Sequence, residues 1–240
     1  RRRRPRGRLA VSDVVYGKNP VRELIRAGRR PVERVLALAD VAREPWLGGL
    51  KVQVTDRAGL GREAGTSDHQ GVVAVAGPYP YVDVDEVLAR PGPVLCLDRL
   101  QDPRNLGAVA RVVEAVGGAG IVLPDRGTPE ITGAVCKSSA GAIEHVRVAR
   151  IENVASFLHD ARGADRWAFG ADLTDDAEDF REVGLDRAAI VVVGAEGEGL
   201  RRRVASMCDR IVQIPMHGEV QSLNLSVSAA LLLYEAVRPQ

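Results

Sequence analysis

The sequence predicts an α/β protein in two parts, a small α/β unit followed by a mostly parallel sheet with helices on both faces. Two observations carry that prediction. From Val94 onward short apolar runs alternate with amphipathic segments of helical period, the pattern of strands joined by crossover helices. Ahead of them, Gly77-Pro78-Tyr79-Pro80-Tyr81 and Pro91-Gly92-Pro93, on either side of a weakly helical acidic stretch, punctuate the chain as a linker does. The expected organisation is a basic arm over 1–11, a small unit over 12–77, a linker over 78–93 and a larger domain over 94–240.

The elements of the small unit follow from local pattern. Tyr16, Gly17 and Asn19 precede a helix in which Val21, Leu24 and Ile25 share a face. Val32 to Ala39 read as a strand, with a short helix after Asp40 and a second strand over Lys51 to Val54. Asp56 can cap the next helix, because its carboxylate can accept from an orphan backbone N–H. Val72 to Ala76 form a third strand after His69-Gln70-Gly71.

In the larger domain strands are expected at Val94 to Leu97, Ile121 to Leu123, Val146 to Ala149, Trp167 to Phe169, Ala188 to Val193 and Ile211 to Ile214. Helices are expected at Leu106 to Val116, Ala134 to Ala140, Val154 to Ala161 and Arg201 to Met207. Pro215 ends the last strand, since it has no N–H to donate. The Ala and Leu run ending at Tyr234 and Glu235 favours a C-terminal helix on length and propensity.

Composition bounds the chemistry. A chain of 240 residues can bury one large core or two small ones. No apolar run approaches the roughly 20 residues of a membrane span, and the basic start is not followed by an apolar segment, so the expected location is the cytoplasm and no membrane partner is expected. Cys96, Cys136 and Cys208 are odd in number and sit in apolar company, which suits small core residues better than disulfides. His69, His145, His159 and His217 show no ligand spacing, and no metal is expected. Six arginines fall within Arg1 to Arg8, leaving 27 basic against 32 acidic residues in the remainder. Such an arm either binds nucleic acid or merely solubilises.

Ligands of open parallel sheets bind outside the carboxyl ends of the strands, and three loops there carry polar residues and glycines. The first, Asp98 to Gly107, leads into a helix bearing Arg111. Asn105 falls where it could cap that helix or orient a hydroxyl, and Arg111 is either a solvated arginine or a phosphate anchor. The second is Gly194-Ala195-Glu196-Gly197-Glu198-Gly199. Its glycines do not fit the G-x-G-x-x-G dinucleotide fingerprint, there is no P-loop lysine, and its glutamates would repel a pyrophosphate, so a neutral or cationic ligand suits it better. The third is Pro215 to Ser226, where Ser222, Asn224 and Ser226 alternate with Leu223 and Leu225; Ser222 could cap the following helix.

Taken in order, N-L-G-x-x-x-R, G-A-E-G-E-G and I-P-M-x-G-x-V-x-S-L-N-L-S resemble the three signature motifs of the SpoU/TrmH group of SPOUT RNA methyltransferases, over about residues 94 to 238. Val15 to Val21 and His69-Gln70-Gly71 are similar to the small ribosomal-protein-like RNA-binding domain of the branch that methylates a guanosine ribose in 23S rRNA. The resemblance implies S-adenosylmethionine as cofactor, RNA as partner, a C-terminal trefoil knot and a homodimer packed through the knotted domain. It places cofactor contacts on Gly194, Glu196, Gly197, Ile214, Met216 and Leu223, largely through backbone. It places Asn105, Arg111, Glu196, Ser222 and Asn224 at the reacting 2′-hydroxyl. A guanidinium resists deprotonation, which favours phosphate anchoring or alkoxide stabilisation for Arg111 over proton abstraction. Other readings remain open: a tRNA or an antibiotic-site rRNA nucleotide as substrate, or a non-catalytic RNA-binding assembly factor. A dinucleotide-dependent oxidoreductase is disfavoured by the glycine spacing.

Overall fold

The structure is a computed structural model that describes residues 12–195, 197–220 and 222–239. The arginine arm and Glu196 therefore lie outside the described residues. The chain divides into two compact units, the first comprising 12–80 with 131–144 and the second 81–130 with the chain from His145 on.

The first unit is built on a four-stranded mixed sheet of order β1-β4-β2-β3, made of β1 (Asp13–Tyr16), β2 (Val32–Ala37), β3 (Val52–Val54) and β4 (Val72–Ala76). Strand β1 was not foreseen. It is short, and only Val15 of its four residues is fully buried, so it has little apolar period to read. Helix α1 (Lys18–Ala27) buries Pro20, Val21 and Leu24, and Gly28 ends it at φ 60°. Helix α2 (Arg57–Ala64) is capped as expected, the Asp56 side chain accepting from the Gly59 N–H at 2.7 Å. The helix expected after Asp40 is reduced to two 3-10 turns, Val41–Arg43 and Pro45–Leu47.

Residues 131–144 belong to this unit although they follow a strand of the other, which differs from the expected single boundary. Their packing gives the reason. Helix α5 (Gly133–Ser138), which follows α3 (Val84–Leu88) and α4 (Pro103–Ala115) of the second unit in the chain, packs against β1 so closely that a Cβ on Gly133 would lie 2.2 Å from the Val14 carbonyl oxygen. Arg30 then seals the far end. Its guanidinium donates to both oxygens of buried Glu144, to Asp13 Oδ2 at 2.7 Å and to the Gly77 carbonyl at 3.1 Å.

The second unit carries a seven-stranded sheet of order β7-β6-β5-β10-β8-β11-β9, parallel at every pairing. The strands are β5 (Val94–Asp98), β6 (Gly120–Pro124), β7 (Val148–Ile151), β8 (Ala168–Ala171), β9 (Glu178–Asp179), β10 (Ile190–Gly194) and β11 (Arg210–Gln213). Strands β5, β6 and β10 are buried along their whole length, as continuous apolar runs covered on both faces should be. Val94, Cys96, Val122, Ile190 and Val192 face a core closed by α3 (Val84–Leu88), α6 (Val154–Ala161) and α7 (Arg202–Ala205). Alternation sends Leu95, Leu97, Val191 and Val193 to the opposite face, where α8 (Leu225–Ala236) packs on β10 and on α4 (Pro103–Ala115).

The stretch expected as linker is structured from Val82 on. Val82 bridges Ala149, Val87 of α3 is fully buried, and Arg166 donates to the carbonyls of Leu88, Arg90 and Gly92. No helix among the described residues is long and apolar enough to cross a membrane.

Candidate active site

The carboxyl ends of β5, β10 and β11 release the three polar loops on one edge of the sheet. At the β10 end the chain folds back over its own strand: Ala195 bridges Gly199, and a Cβ on Gly194 would lie 2.1 Å from the Gly199 carbonyl oxygen. Only glycine permits that backbone contact. Gly199, at φ 63°, in turn lies against the Asp172 carboxylate, which accepts from the backbone N–H groups of Leu173 at 2.8 Å and Leu200 at 3.2 Å.

The β5 loop is tied to the β10 loop by two ion pairs. Asp98, fully buried at the end of β5, accepts from the Arg201 backbone N–H at 3.1 Å and from its guanidinium, Nε to Oδ1 at 2.8 Å. That hydrogen bonding holds the Arg201 pKa above its ordinary value. Arg99 donates to Glu198 Oε2 at 2.6 Å from a backbone at φ 78°, where a non-glycine residue is uncommon. The expected repulsion from the loop glutamates is thus reduced at Glu198, whose charge meets an arginine.

The loops leaving β10 and β11, with the end of β8, line a cavity of about 430 Å³. Of the residues expected to hold a cofactor, Gly194, Gly197, Ile214, Met216 and Leu223 line it, and Ser222 lines it as well. Glu196 falls on the loop but outside the described residues. Ser222 does not cap the helix that follows, because that position is taken by Asn224, whose Oδ1 accepts from the Ser226 N–H at 2.9 Å.

Asn105 is likewise not a cap. Asp102 fills the role with its side chain on the Arg104 N–H at 2.8 Å, Pro103 occupies the first helical position, and Asn105 sits inside α4. The hydrogen bonds from Arg104 also hold the Asp102 carboxyl below its usual pKa range. Freed from capping, Asn105 Oδ1 accepts from Asn224 Nδ2 at 3.2 Å, joining the first loop to the third. Arg111 lies on the exposed side of α4, six residues or about 9 Å along the axis from Asn105, and its side chain makes no hydrogen bond or ion pair among the described residues. Neither asparagine nor Arg111 lines the cavity.

Residues missed in the sequence include Asp172 and Leu173 on the cavity wall and Asp98 behind it. Asp98 had a legible signal, an acid closing an apolar strand. Asp172, just after β8, offered the same signal more weakly, at the end of a shorter strand that holds a glycine.

The cavity suits S-adenosylmethionine on its own features. Its size falls in the range of cofactor pockets, glycine backbone and Ile214, Met216 and Leu223 offer the mixed wall an adenosyl group needs, and its charged lining among the described residues is acidic.

Comparison with known proteins agrees. Residues 92–234 match the model of the SpoU rRNA methylase family, and residues 14–82 match that for RNA 2′-O ribose methyltransferase substrate binding. The chain belongs to the SpoU rRNA methylase family. Proteins assigned to the TrmH family of tRNA/rRNA methyltransferases in Staphylococcus aureus and Bacillus subtilis are each 36% identical, over 94% of this chain and 95% of theirs. The SpoU methyltransferase AviRb of Streptomyces viridochromogenes, solved with S-adenosylmethionine, superposes with a TM-score of 0.79 at 25% identity over 94% of this chain and 89% of its own. An S-adenosylmethionine-bound rRNA methyltransferase of Sinorhizobium meliloti shares the fold at a TM-score of 0.79 and 22% identity, covering 93% of this chain and 86% of that one. The expected fold class, with the trefoil knot inherent to it, is thereby shown. The protein is an S-adenosylmethionine-dependent RNA 2′-O-ribose methyltransferase.

Proposed function

We propose that this enzyme methylates the ribose 2′-hydroxyl of a guanosine in 23S rRNA, in the cytoplasm, as a homodimer packed through the knotted domain. The observation that carries the site assignment is the Asn105 to Asn224 hydrogen bond, which brings the first and third motifs together on the edge where the cavity opens. The guanosine in 23S rRNA is supported by the Val15 to Val21 and His69-Gln70-Gly71 stretches in the first unit. The dimer is supported by α8, whose Val227, Leu231 and Tyr234 share one face and are 45%, 40% and 56% exposed.

When bound, S-adenosylmethionine supplies an electrophilic methyl group whose bond to sulfur breaks with the electron pair remaining on sulfur. The protein aligns the acceptor oxygen with that bond and receives or passes on the hydroxyl proton. Asn105 and Asn224, held to one another, orient the ribose. Arg111, exposed and without an ion pair among the described residues, anchors the adjacent phosphate or stabilises the developing alkoxide. Ser222 positions the substrate at the cavity wall, backbone at Gly194, Gly197, Ile214, Met216 and Leu223 holds the cofactor, and Glu196, on the family resemblance alone, organises Arg111 or the loop.

Ribose-methylation mapping of rRNA and tRNA from a deletion strain tests the target. One guanosine mark absent from 23S rRNA is the expected result, and a full set of large-subunit marks overturns it. The relatives' naming as tRNA/rRNA methyltransferases favours tRNA as the second reading, which a mark lost from tRNA would establish.

A further inference from the structure

The cavity wall contains two carboxylates, Asp172 and Glu198, and no arginine, lysine or histidine among its described lining residues. The two acids are not equivalent. Glu198 is paired with Arg99, so its charge is offset by a cation where the loops meet. Asp172 accepts two backbone N–H groups and has no cationic partner among the described residues. Backbone amides orient and stabilise a carboxylate without removing its unit charge. The segment that follows, with Asp175 and Asp176 exposed, adds to the same sign. Among the described residues the cavity therefore holds a net negative field whose unpaired source is Asp172.

Methyl transfer changes the charge of what the cavity holds. The donor carries a sulfonium and an ammonium against one carboxylate, while the demethylated product has a neutral thioether and is uncharged overall. We propose that Asp172 makes the cavity discriminate by charge between S-adenosylmethionine and S-adenosylhomocysteine, holding the donor and letting the product go. The inference rests on the assignment of the cavity to this cofactor and concerns selection within it. Asp172 is a specificity-determining residue and takes no part in the proton transfer. Its carboxylate is half-buried, so the field is weakened by solvent but not abolished, and a preference of about tenfold is expected.

The test is calorimetric titration of the full chain with S-adenosylmethionine, S-adenosylhomocysteine and sinefungin, in which an ammonium-bearing carbon replaces the sulfonium. The wild-type protein should bind the two cationic ligands about tenfold more tightly than the thioether, with a preference that shrinks as salt is raised. Asp172→Asn keeps the shape and an acceptor oxygen for the backbone, and should bring the three affinities within about twofold of one another. Comparing the ligands on the wild-type protein needs no variant, so a misfolded Asp172→Asn leaves the test intact. Equal or tighter binding of S-adenosylhomocysteine by the wild type overturns the proposal, as does an unchanged preference in a folded Asp172→Asn. Failure of all three ligands to bind would instead remove the cofactor assignment of the cavity, and this inference with it.

Discussion

Arg30 and Arg201 each meet a buried carboxylate, yet the two pairs serve different ends. In the first unit Arg30 and Glu144 have side chains only 2% and 1% exposed, and Asp13, Gly77 and the Tyr79 ring complete the shell. In the second unit Asp98 is sealed while the Arg201 side chain is 45% exposed. A fully enclosed pair fixes which segments belong together, because separating it strands a charge in a dry interior. A pair open on one side aims a loop, since the carboxylate stays rooted in the sheet and the arginine end can follow the chain.

Breaking the enclosed pair should have the largest effect. Arg30→Ala leaves Glu144 and Asp13 without their cation and is expected to cost about 3–5 kcal/mol in urea unfolding. The Arg30→Met, Glu144→Leu double variant should recover most of that loss. Arg111, with no carboxylate partner among the described residues, sharpens the contrast from the other side. Arg111→Ala should leave stability within about 0.5 kcal/mol and cofactor affinity unchanged, while single-turnover methylation falls about a hundredfold. Asp98→Asn lies between them. It should destabilise by about 1–2 kcal/mol, the open side of the pair being screened by solvent, and weaken S-adenosylmethionine binding several-fold as the loop over Gly194 loses its anchor. The smallest effect concerns the thiols that neighbour both pairs. Burial pushes the Cys208 pKa up to about 12 and raises those of Cys96 and Cys136 as well. A raised folded-state pKa contributes stability below the unfolded value near 9 that is lost as pH climbs toward 12. Alkylation at pH 8 should therefore be slow for the native protein and fast in urea.

The second unit was the more legible in the sequence because its central strands are continuous apolar runs separated by segments of helical period. In the first, β1 was missed because it is short and partly exposed, and the 3-10 turns carry no period, although β3 was read despite its length. Caps were the weakest point in the site. Asn105 and Ser222 are good capping residues, but Asp102 followed by Pro103 is a better start for α4, and Asn224 reaches the first turn of α8 that Ser222 precedes. Side-chain type gives the candidates, and chain direction decides among them. The placement of 131–144 could not be read locally at all, because it depends on Arg30, about a hundred residues away in sequence and adjacent only in the folded chain.

The order of strands in the large sheet has a consequence for how the protein is made. β10 lies between β5 and β8, and Ile190 pairs with Val94 across nearly a hundred residues of intervening chain. A ribosome emitting this polypeptide would have released β5, β6, β7 and β8 before the strand that unites them emerged. Until then β5 and β8 each present an unpaired edge, and closing such distant contacts is slow. During synthesis the nascent chain is thus open to aggregation along the strands that later flank the centre of its larger sheet.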